Sequence, residues 1–278
     1  MVADAQLVRA VILDLDGVIY RGHTPLSGAK QTAEWLCAAG YEVYYFTNNS
    51  TKTRESYVDL MAGYGITTDP DHVVTSASLT ARYFSDNGLL PATALVVGEG
   101  GLAAELRRIG LRVIRRRGKL PIHYVVVGMD RQFTYRKLHE AQQAIRSGAK
   151  FIATNRDPTY PVEDNVIPGG GSIVAAVATA AQQEPLLIGK PSPQAGQLIT
   201  QYAGVAPDEA LIVGDRLETD IEMGRRAGLW TCLVLTGISR LEEVQALPPE
   251  SRPHWVISSI SQLPELLQGH APTSEGLP

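Results

Sequence analysis

Two carboxylates stand at the end of an apolar run near the start of the chain. Asp14 and Asp16 are two residues apart in the sequence VILDLDGVIY of residues 11–20, and Gly17 follows them. Alternation along an extended strand places both carboxylates on one side, and the glycine lets the chain turn away. Two acids at the end of a buried strand repel each other unless a cation lies between them. Their oxygens suit a hard ion such as Mg²⁺, although an isolated pair is also typical of a solvated acidic turn.

Two further polar segments follow apolar runs. Residues 47–50 read Thr-Asn-Asn-Ser after the run 42–46. A hydroxyl and adjacent backbone amides at this point could cradle phosphate oxygens, or the segment could simply cap a helix. Lys190 follows the run 186–188 and offers a point charge for a phosphoryl group, although a single lysine at a strand end is usually just solvated.

A second acidic pair follows another apolar run, residues 211–213. Asp215 comes directly after Gly214, and Asp220 comes five residues later. Asp215 would reach the metal, while Asp220 could hold Asp215 or a metal-bound water in place. Glu218 and Asp220 could instead only complement a helix dipole. Because the carboxyl ends of parallel strands meet at one sheet edge, where ligands bind, the segments together predict a single phosphate and metal site.

Short apolar strands alternate with amphipathic helices along the chain, which is typical of a parallel α/β sheet. We predict strands at residues 8–13, 42–46, 94–97, 112–114, 124–127, 151–153, 186–188, 210–213, 231–235 and 255–257. We predict helices between many of them, for example at residues 28–39, 55–64, 135–145, 172–181 and 218–227. These strands are too many for one small sheet. We therefore expect a parallel Rossmann-like core sheet with helices on both faces, plus an inserted α/β cap domain.

The domain organisation follows from where the chemistry-bearing residues lie. They cluster at residues 14–50 and 190–220, with nothing comparable between. The simplest organisation is a discontinuous catalytic core at residues 1–80 and 185–268, interrupted by a cap at residues 81–184, with boundaries near 79–86 and 182–185. Residues 269–278 are polar and rich in proline and glycine, and we expect a disordered tail there.

Composition limits the possible partners and the compartment. Of the 278 residues, 44% are hydrophobic and 19% are charged, and the formal net charge of -4 argues against nucleic acid or an anionic membrane as the main partner. Cys37 and Cys232 lie far apart and lack metal-ligand spacing, so we expect a cytoplasmic protein without disulfides or a zinc site. We find no signal-peptide pattern and no apolar run near the roughly 18 residues needed to cross a bilayer.

Taken together, the motifs resemble those of the haloacid dehalogenase superfamily of phosphotransferases. The resemblance rests on DLDGV at 14–18, TNNS at 47–50, GKP at 189–191 and GDRLETD at 214–220. More narrowly, the chain resembles the p-nitrophenylphosphatase-like branch, which includes phosphoglycolate and pyridoxal phosphatases and carries a large α/β cap. Segments 126–130, 153–157 and 168–172 match that cap, so the resemblance covers almost all of residues 8–265. Glu218 stands where the branch more often has Asp.

The resemblance implies a mechanism in two steps. Asp14 is expected to attack phosphorus and form an aspartyl-phosphate. Asp16 is expected to protonate the leaving oxygen and then to deprotonate the water that hydrolyses the intermediate. Mg²⁺ is the implied cofactor, held by Asp14, Asp215 and the backbone carbonyl of Asp16, with Asp220 beside them.

The resemblance also implies how the phosphate is held. Thr47, the amide of Asn48 and Lys190 are expected to bind the phosphate oxygens on which charge spreads in the transition state. We count Asn49 among the substrate-binding candidates because it belongs to the same segment.

The leaving group is expected to be recognised by the cap, which would close over the site and exclude water. The candidates are polar or large residues that follow two predicted cap strands, although they could equally shape cap turns: Met129, Asp130, Arg131, Asn155, Asp157 and Tyr160. This set suits a small phosphorylated metabolite better than a phosphoprotein. We expect hydrolysis of p-nitrophenyl phosphate and of some among phosphoglycolate, sugar phosphates, nucleoside monophosphates and pyridoxal phosphate. The branch often dimerises through its cap, so we also expect a homodimer.

Two other functions stay open on the sequence. Residues 94–103 place a G-x-G-x-x-A pattern after a strand, as in a dinucleotide-binding turn, and the arginines at 115–117 could imitate an NADP phosphate site. On this interpretation the protein would be an oxidoreductase that binds a dinucleotide through the glycines at 98–101. A catalytically silent regulator could also keep the fold. The complete set of three acids and a lysine, Asp14, Asp16, Asp215 and Lys190, favours the phosphatase.

Overall fold

A computed structural model of the chain describes residues 7–162 and 165–269. The described chain divides into two compact units. The first unit contains residues 7–47, 58–74 and 190–269, and the second contains residues 48–57 and 75–189. The core and cap ranges expected from the sequence remain predictions, and they differ from the compact units at residues 48–57, 75–80 and 185–189. The expected disordered tail lies outside the described residues, apart from residue 269.

The elements alternate along the chain as the sequence pattern predicts. The strands are β1 (Ala10–Asp14), β2 (Tyr20–Arg21), β3 (Thr24–Pro25), β4 (Glu42–Thr47), β5 (Val73–Thr75), β6 (Thr93–Val97), β7 (Arg112–Ile114), β8 (Tyr124–Val127), β9 (Lys150–Ala153), β10 (Thr159–Val162), β11 (Asn165–Pro168), β12 (Leu186–Leu187), β13 (Ala210–Gly214), β14 (Trp230–Val234) and β15 (Trp255–Ile257). The α-helices are α1 (Ala29–Ala38), α2 (Arg54–Gly63), α3 (Ser76–Asp86), α4 (Gly100–Arg108), α5 (Tyr135–Arg146), α6 (Gly170–Ala181), α7 (Pro193–Ala203), α8 (Glu222–Ala227), α9 (Leu241–Ala246) and α10 (Leu263–Leu267). Short helical turns lie at Pro207–Glu209, Leu217–Ile221, Pro249–Ser251 and Ile260–Gln262.

The first unit is built on a six-stranded sheet. Its strand order is β15-β14-β13-β1-β4-β5, and β1 lies between β13 and β4 in parallel register. Every residue of β1, β13 and β14 is buried, because helices cover both faces of a parallel sheet and leave no strand face for water. Each buried Val, Ile or Leu contributes about 1.5–3 kcal/mol of apolar transfer free energy, so these strands form a rigid base for the residues that follow them.

The second unit is built on a five-stranded parallel sheet. Its strand order is β12-β9-β8-β6-β7. Helices α5 and α6 pack on it through small and aliphatic side chains, among them Ala141, Ile145 and Val177, which meet Val125 and Phe151 of the strands. Two parallel α/β sheets therefore confirm the expected fold class, a Rossmann-like core sheet with an inserted α/β cap.

The predicted elements are confirmed at all ten strands, with ends that move by up to two residues. The predicted helix at 218–227 is wrong in its first half, where Leu217–Ile221 forms a wider, π-helical turn before α8. The prediction missed the strand β5 and the hairpins β2–β3 and β10–β11. It also missed α3, which occupies the stretch 79–86 where we expected a domain boundary. Thr75 and Ser78 form a reciprocal cap at the start of that helix.

Candidate active site

Asp14 and Asp215 follow neighbouring strands of the first sheet. Asp14 is the last residue of β1, and Asp215 comes directly after β13, which pairs with β1 through Leu13 and Val213. Two parallel strands in register end at the same edge of the sheet, so the residues at their carboxyl ends lie close together. Both carboxylates are buried, at 7% and 3% exposure. The fold therefore brings the two acids to the same edge of the sheet, where the sequence analysis expected them.

Lys190 lies between two carboxylates of this edge. Its Nζ is 2.6 Å from Asp14 Oδ1 and 2.6 Å from Asp220 Oδ1, and it lies 4.6 Å from the ring centre of Phe46. Burial alone would lower the pKa of Lys190, but the attraction of Asp14 and Asp220 outweighs it and raises that pKa above its ordinary value. The lysine is therefore a fixed, buried ammonium in this site.

Asp14, Asp215 and Asp220 together carry more negative charge than Lys190 neutralises. One carboxylate oxygen of each lies within 4.8 Å of the others, and all three side chains are buried. Burial raises the pKa of Asp14 well above 3.8, an effect that Lys190 opposes and the other two acids increase. Burial and repulsion by Asp220 raise the pKa of Asp215 to about 7. Oxygen donors that repel each other in this way suit a divalent hard cation, so the residues fit a Mg²⁺ site.

Glycines let the backbone approach these carboxylates closely. Gly17 has φ +83°, and a Cβ at this position would lie 2.6 Å from Asp215 Oδ2. A Cβ on Gly214 or Gly237 would overlap the carboxyl groups of Asp220 and Asp215 respectively. The site is thus a cradle of backbone around carboxylates, which a side chain at any of these positions would disturb.

The loop after β14 completes this cradle, and the sequence analysis missed it. The Ile238 N–H donates to Asp215 Oδ2 at 2.8 Å, and the Ser239 N–H donates to the Asp215 carbonyl at 3.0 Å. Thr236 Oγ1 donates to the Gly17 carbonyl at 2.6 Å. The sequence did contain a signal for this loop. A polar Thr-Gly pair directly follows the predicted strand 231–235, just as the other four polar segments follow predicted strands.

Asp220 is held by more than the helix that follows it. Its Oδ2 accepts from Thr219 Oγ1 at 3.2 Å and from the Arg216 N–H at 3.3 Å, while Oδ1 faces Lys190. The π-helical turn Leu217–Ile221 carries it, and the side chain is 1% exposed. A helix-dipole role alone does not explain these contacts, whereas Glu218 is exposed and fits that role.

Asp16 and Thr47 also lie in the first unit. Asp16 is half-buried and forms a backbone bridge with Tyr20. Among the described residues, its carboxylate is not part of the three-oxygen cluster, and metal binding by its backbone carbonyl stays a prediction. Thr47 is buried at the end of β4, where Phe46 pairs with Asp14.

Known proteins are similar to this chain in sequence and in architecture. A family model described as haloacid dehalogenase-like hydrolase matches residues 11–112, and a second HAD-hydrolase-like model matches residues 187–263. Chronophin of Rattus norvegicus is 38% identical over 276 residues, which cover 95% of this chain and 89% of that protein. Acid sugar phosphatase of Staphylococcus aureus (strain USA300) is 38% identical over 237 residues, 85% of this chain and 90% of that protein. The chain belongs to the haloacid dehalogenase-like hydrolases.

The architecture narrows this assignment. The structure of p-nitrophenyl phosphatase from Archaeoglobus fulgidus superposes with a TM-score of 0.86 at 29% identity, covering 93% of this chain and 99% of that one. The chain is therefore of the p-nitrophenylphosphatase type with an inserted cap, and it is a phosphoric monoester hydrolase. In the part of the chain that the structure describes, no helix is both long and apolar enough to cross a membrane.

In the second unit of the phosphatase, five predicted residues are joined by hydrogen bonds. Asn48 Nδ2 donates to both carboxylate oxygens of Asp157, at 3.2 and 3.0 Å. Asn155 Nδ2 donates to the main-chain carbonyl of Asn48 at 2.8 Å. Asn49 Nδ2 donates to the hydroxyl of Tyr160 at 3.0 Å. The structure thus brings the segment after Thr47 together with the loop after β9.

Asp130 and Arg131 lie apart from this group and have partners of their own. The buried Asp130 accepts from Lys137 Nζ at 2.6 Å and from the Gln132 N–H at 3.0 Å. Arg131 forms a two-pronged ion pair with Glu99, with both distances 2.7 Å. Their expected role in substrate binding stays a prediction, and these contacts shape the turn between β8 and α5.

The glycine turn after β6 packs against the phosphatase's own chain. The guanidinium of Arg115 donates to the carbonyls of Gly98 and Glu99, and the bond to Glu99 is 3.1 Å. The Gly101 N–H donates to the Thr51 carbonyl at 3.0 Å, and a Cβ on Gly101 would overlap the backbone of Lys52. The turn and its arginine are therefore built for internal packing, and the oxidoreductase interpretation of this motif is not supported.

Proposed function

We propose that this phosphatase depends on Mg²⁺ and works through a phosphoryl-aspartate on Asp14. One observation carries the proposal. Lys190 bridges Asp14 and Asp220 at 2.6 Å in a buried site that also contains Asp215. A buried carboxylate beside a fixed ammonium and two further acids suits attack on a phosphate. The negative charge of the phosphate and the positive charge of a bound cation would then complete the charges of the site.

The reaction divides into two displacements at phosphorus. In the first, an oxygen of Asp14 forms a bond to phosphorus while the bond to the leaving oxygen breaks, and Asp16 donates its proton to that oxygen. In the second, water attacks phosphorus, Asp16 takes the proton of the water, and the bond from Asp14 to phosphorus breaks. Phosphate is released and both carboxyl groups return to their initial states.

The remaining residues hold the phosphate and compensate its charge. Thr47 Oγ1, the backbone amide of Asn48 and the ammonium of Lys190 are the donors for its oxygens. Donors that are fixed before the reaction stabilise the charge that spreads over these oxygens in the transition state. Lys190 cannot swing away, because its Nζ is held by two carboxylates.

Asp14, Asp215 and the backbone carbonyl of Asp16 would hold the Mg²⁺, with Asp220 in the same cluster. The ion would reduce the repulsion between the Asp14 carboxylate and the incoming phosphate.

The substrates we propose share the phosphate and differ in a small leaving group. They are p-nitrophenyl phosphate, phosphoglycolate, sugar phosphates, nucleoside monophosphates and pyridoxal phosphate. The names of two similar proteins, an acid sugar phosphatase and a p-nitrophenyl phosphatase, support the sugar and aryl members of this group. Measuring kcat/KM across the panel, with a phosphopeptide included, would rank them. A phosphopeptide that is turned over faster than every small phosphate would contradict the proposal.

Removing the nucleophile should abolish turnover. We expect Asp14→Asn to lower kcat on p-nitrophenyl phosphate by at least about three orders of magnitude, because an amide oxygen does not attack phosphorus. Asp59→Asn, at an exposed position of α2, is the matched control and should keep activity. Asp16→Asn should accumulate phosphoenzyme, which intact-protein mass spectrometry detects. Full activity of Asp14→Asn, or of the wild type in excess chelator, would overturn this mechanism.

We also propose a cytoplasmic homodimer that assembles through the cap. Both cysteines of the chain, Cys37 and Cys232, are free thiols, which supports a reducing compartment. The dimer is carried over from the sequence resemblance. Light scattering at micromolar concentration should give the mass of two chains, and the mass of one chain would contradict it.

A further inference from the structure

Asn48, the residue directly after Thr47, is held at two points by other residues of the second unit. Its side-chain amide donates to the carboxylate of Asp157 at 3.0 and 3.2 Å. Its main-chain carbonyl accepts from Ser76 Oγ at 2.6 Å and from Asn155 Nδ2 at 2.8 Å. Asn48 is 8% exposed and Asn155 is 3% exposed, so water competes little for these bonds. We call Asn48, Ser76, Asn155 and Asp157 the amide cluster.

These bonds fix the orientation of the backbone as well as a side chain. A peptide group is planar, so two donors on the Asn48 carbonyl fix the plane of the following peptide. The bond to Asp157 fixes the Asn48 side chain on the other side of the same residue. Because its side chain and its carbonyl are both held, Asn48 has little freedom to rotate, which also limits the direction of its own N–H. The residues that hold it lie far away in the sequence.

Asp157 and Asn155 are themselves held by backbone. The Asp157 N–H donates to Asn155 Oδ1 at 3.1 Å, and the Asp157 carbonyl accepts from the Gly171 N–H of α6 at 2.9 Å. A Cβ on Gly171 would overlap the backbone of Arg156, so the glycines at the start of α6 allow this close approach. These contacts hold the loop after β9 against the start of α6.

We propose that Asp157 and Asn155 are positioning residues for the phosphate-binding segment, in contrast to the leaving-group role expected from the sequence. This rests on the proposed function, in which Thr47 and the Asn48 amide bind phosphate oxygens. Both residues act on the part of the substrate that all phosphomonoesters share. Changing them alters phosphate binding by one common factor and leaves the ranking of leaving groups unchanged.

The first test compares single variants across the substrate panel. Asp157→Ala lowers kcat/KM about 10- to 100-fold, the range expected when a charge-assisted hydrogen bond that orients a binding group is lost. The factor is the same for p-nitrophenyl phosphate, phosphoglycolate and a sugar phosphate, and the inhibition constant of inorganic phosphate rises with it. Asp157→Asn keeps an acceptor oxygen for Asn48 Nδ2 and restores part of the loss. Arg156→Ala, an exposed neighbour in the same loop, is the matched control.

The second test is a double-mutant cycle. If Asp157 acts only through the Asn48 side chain, Asp157→Ala has no further effect in an Asn48→Ala background. Asn155 acts on the main-chain carbonyl, so Asn155→Ala keeps its effect in that background. Thermal unfolding of each variant separates these effects from a loss of fold. Asn155→Ser, which retains a donor in a smaller side chain, replaces Asn155→Ala if the latter unfolds.

The outcomes separate this inference from the proposed function. Loss factors that differ between leaving groups, or additive effects of Asn48→Ala and Asp157→Ala, overturn the positioning role while the wild type remains an active phosphatase. A wild-type protein with no turnover on any member of the panel overturns the proposed function itself.

Discussion

In the first unit, carboxylates at the carboxyl ends of β1 and β13 surround Lys190. In the second unit, the corresponding edge of the sheet is covered by residues 48–57 of the chain itself. Ser50 Oγ would lie 2.6 Å from a Cβ on Gly128, which follows β8, and Asn48 Oδ1 would lie 2.7 Å from a Cβ on Gly189, which follows β12. The two parallel sheets therefore have the same kind of edge, but charged side chains lie at one edge and a segment of the chain lies at the other. We call Asp14, Lys190, Asp215 and Asp220 the charged cluster.

The difference lies in how the polar groups are compensated. The charged cluster has three buried carboxylates and one ammonium, and burial together with repulsion from the other acids raises the pKa of Asp14 and of Asp215. In the amide cluster, neutral donors meet carbonyl and carboxylate acceptors within the chain. One edge is therefore built to be completed by a ligand, while at the other a segment of the chain occupies the place where a ligand binds in similar sheets.

In the comparison of the two units, the largest expected effect comes from removing the lysine that pairs with a buried aspartate in the first unit. Lys190→Met should lower kcat about 10²- to 10³-fold, because it removes a donor for the transition-state charge. Lys137 pairs with the buried Asp130 at 2.6 Å and provides the comparison. Lys137→Met should lower the thermal unfolding temperature and leave kcat within a few-fold of wild type. Steady-state kinetics and thermal unfolding of both variants measure the two effects.

A large loss of kcat in Lys137→Met would contradict this contrast between the units. It would also support the role of Asp130 in substrate binding that the sequence predicted. An unchanged kcat in Lys190→Met would remove the charged cluster from the mechanism altogether.

The second prediction concerns pH and Mg²⁺. The folded-state pKa of Asp215 is about 7, above the ordinary 3.8, and that of Asp14 is raised as well. An acid with a raised pKa binds more protons in the folded state, so the metal-free protein loses stability as the pH rises from about 4 to about 7. Mg²⁺ binds the ionised carboxylates, so its effect grows over the same window.

Differential scanning fluorimetry with and without Mg²⁺ measures this effect. At 100 times the Kd, the ion should raise the unfolding temperature by roughly 5 to 10 °C at pH 8 and by much less at pH 5. In Asp215→Asn the dependence on pH should shrink, because one of the titrating groups is gone. An equal gain at both pH values would show that these carboxylates do not bind the ion.

The charged cluster could be predicted from the sequence because its residues follow apolar runs directly. Asp14 and Asp215 each end a run of buried aliphatic residues, so the strand and the acid after it were both visible. Lys190 was visible for the same reason. The loop of Ile238 was not, since it acts through backbone N–H groups that have no distinctive residue type.

The amide cluster could be predicted only as a set of polar residues. Asn155 and Asp157 were identified because they follow β9, but their partner Asn48 lies more than 100 positions away, and a hydrogen bond across that separation leaves no pattern in the sequence. Ser76 was missed together with α3, since we expected a domain boundary within residues 79–86 of that helix. Its cap, the bonds between Thr75 and Ser78, follows a spacing that predicts a helix start.

The third prediction tests whether residues 48–57 fill the edge of the second sheet. Gly101→Ala places a Cβ into the backbone of Lys52, and we expect a loss of about 1–3 kcal/mol in the free energy of unfolding. Gly100→Ala is the matched control, because a Cβ there meets nothing within 4 Å. It should be neutral or stabilising by up to about 1 kcal/mol, since alanine favours the helix more than glycine does. Equal effects of the two variants in denaturant titrations would mean that this packing is not tight.

The smallest effect distinguishes two buried serines of the second unit. Ser76 Oγ donates to the Asn48 carbonyl at 2.6 Å, whereas Ser50 Oγ is buried and has no hydrogen-bond partner among the described residues. Ser76→Ala should therefore cost about 1 kcal/mol, and Ser50→Ala should be neutral or slightly stabilising, because it removes a hydroxyl that was desolvated without compensation. Denaturant titrations of both variants measure the difference. If Ser50→Ala destabilised the protein as much as Ser76→Ala, the edge of the second sheet would need a bound partner for Ser50, and the two edges would be more alike than their side chains indicate.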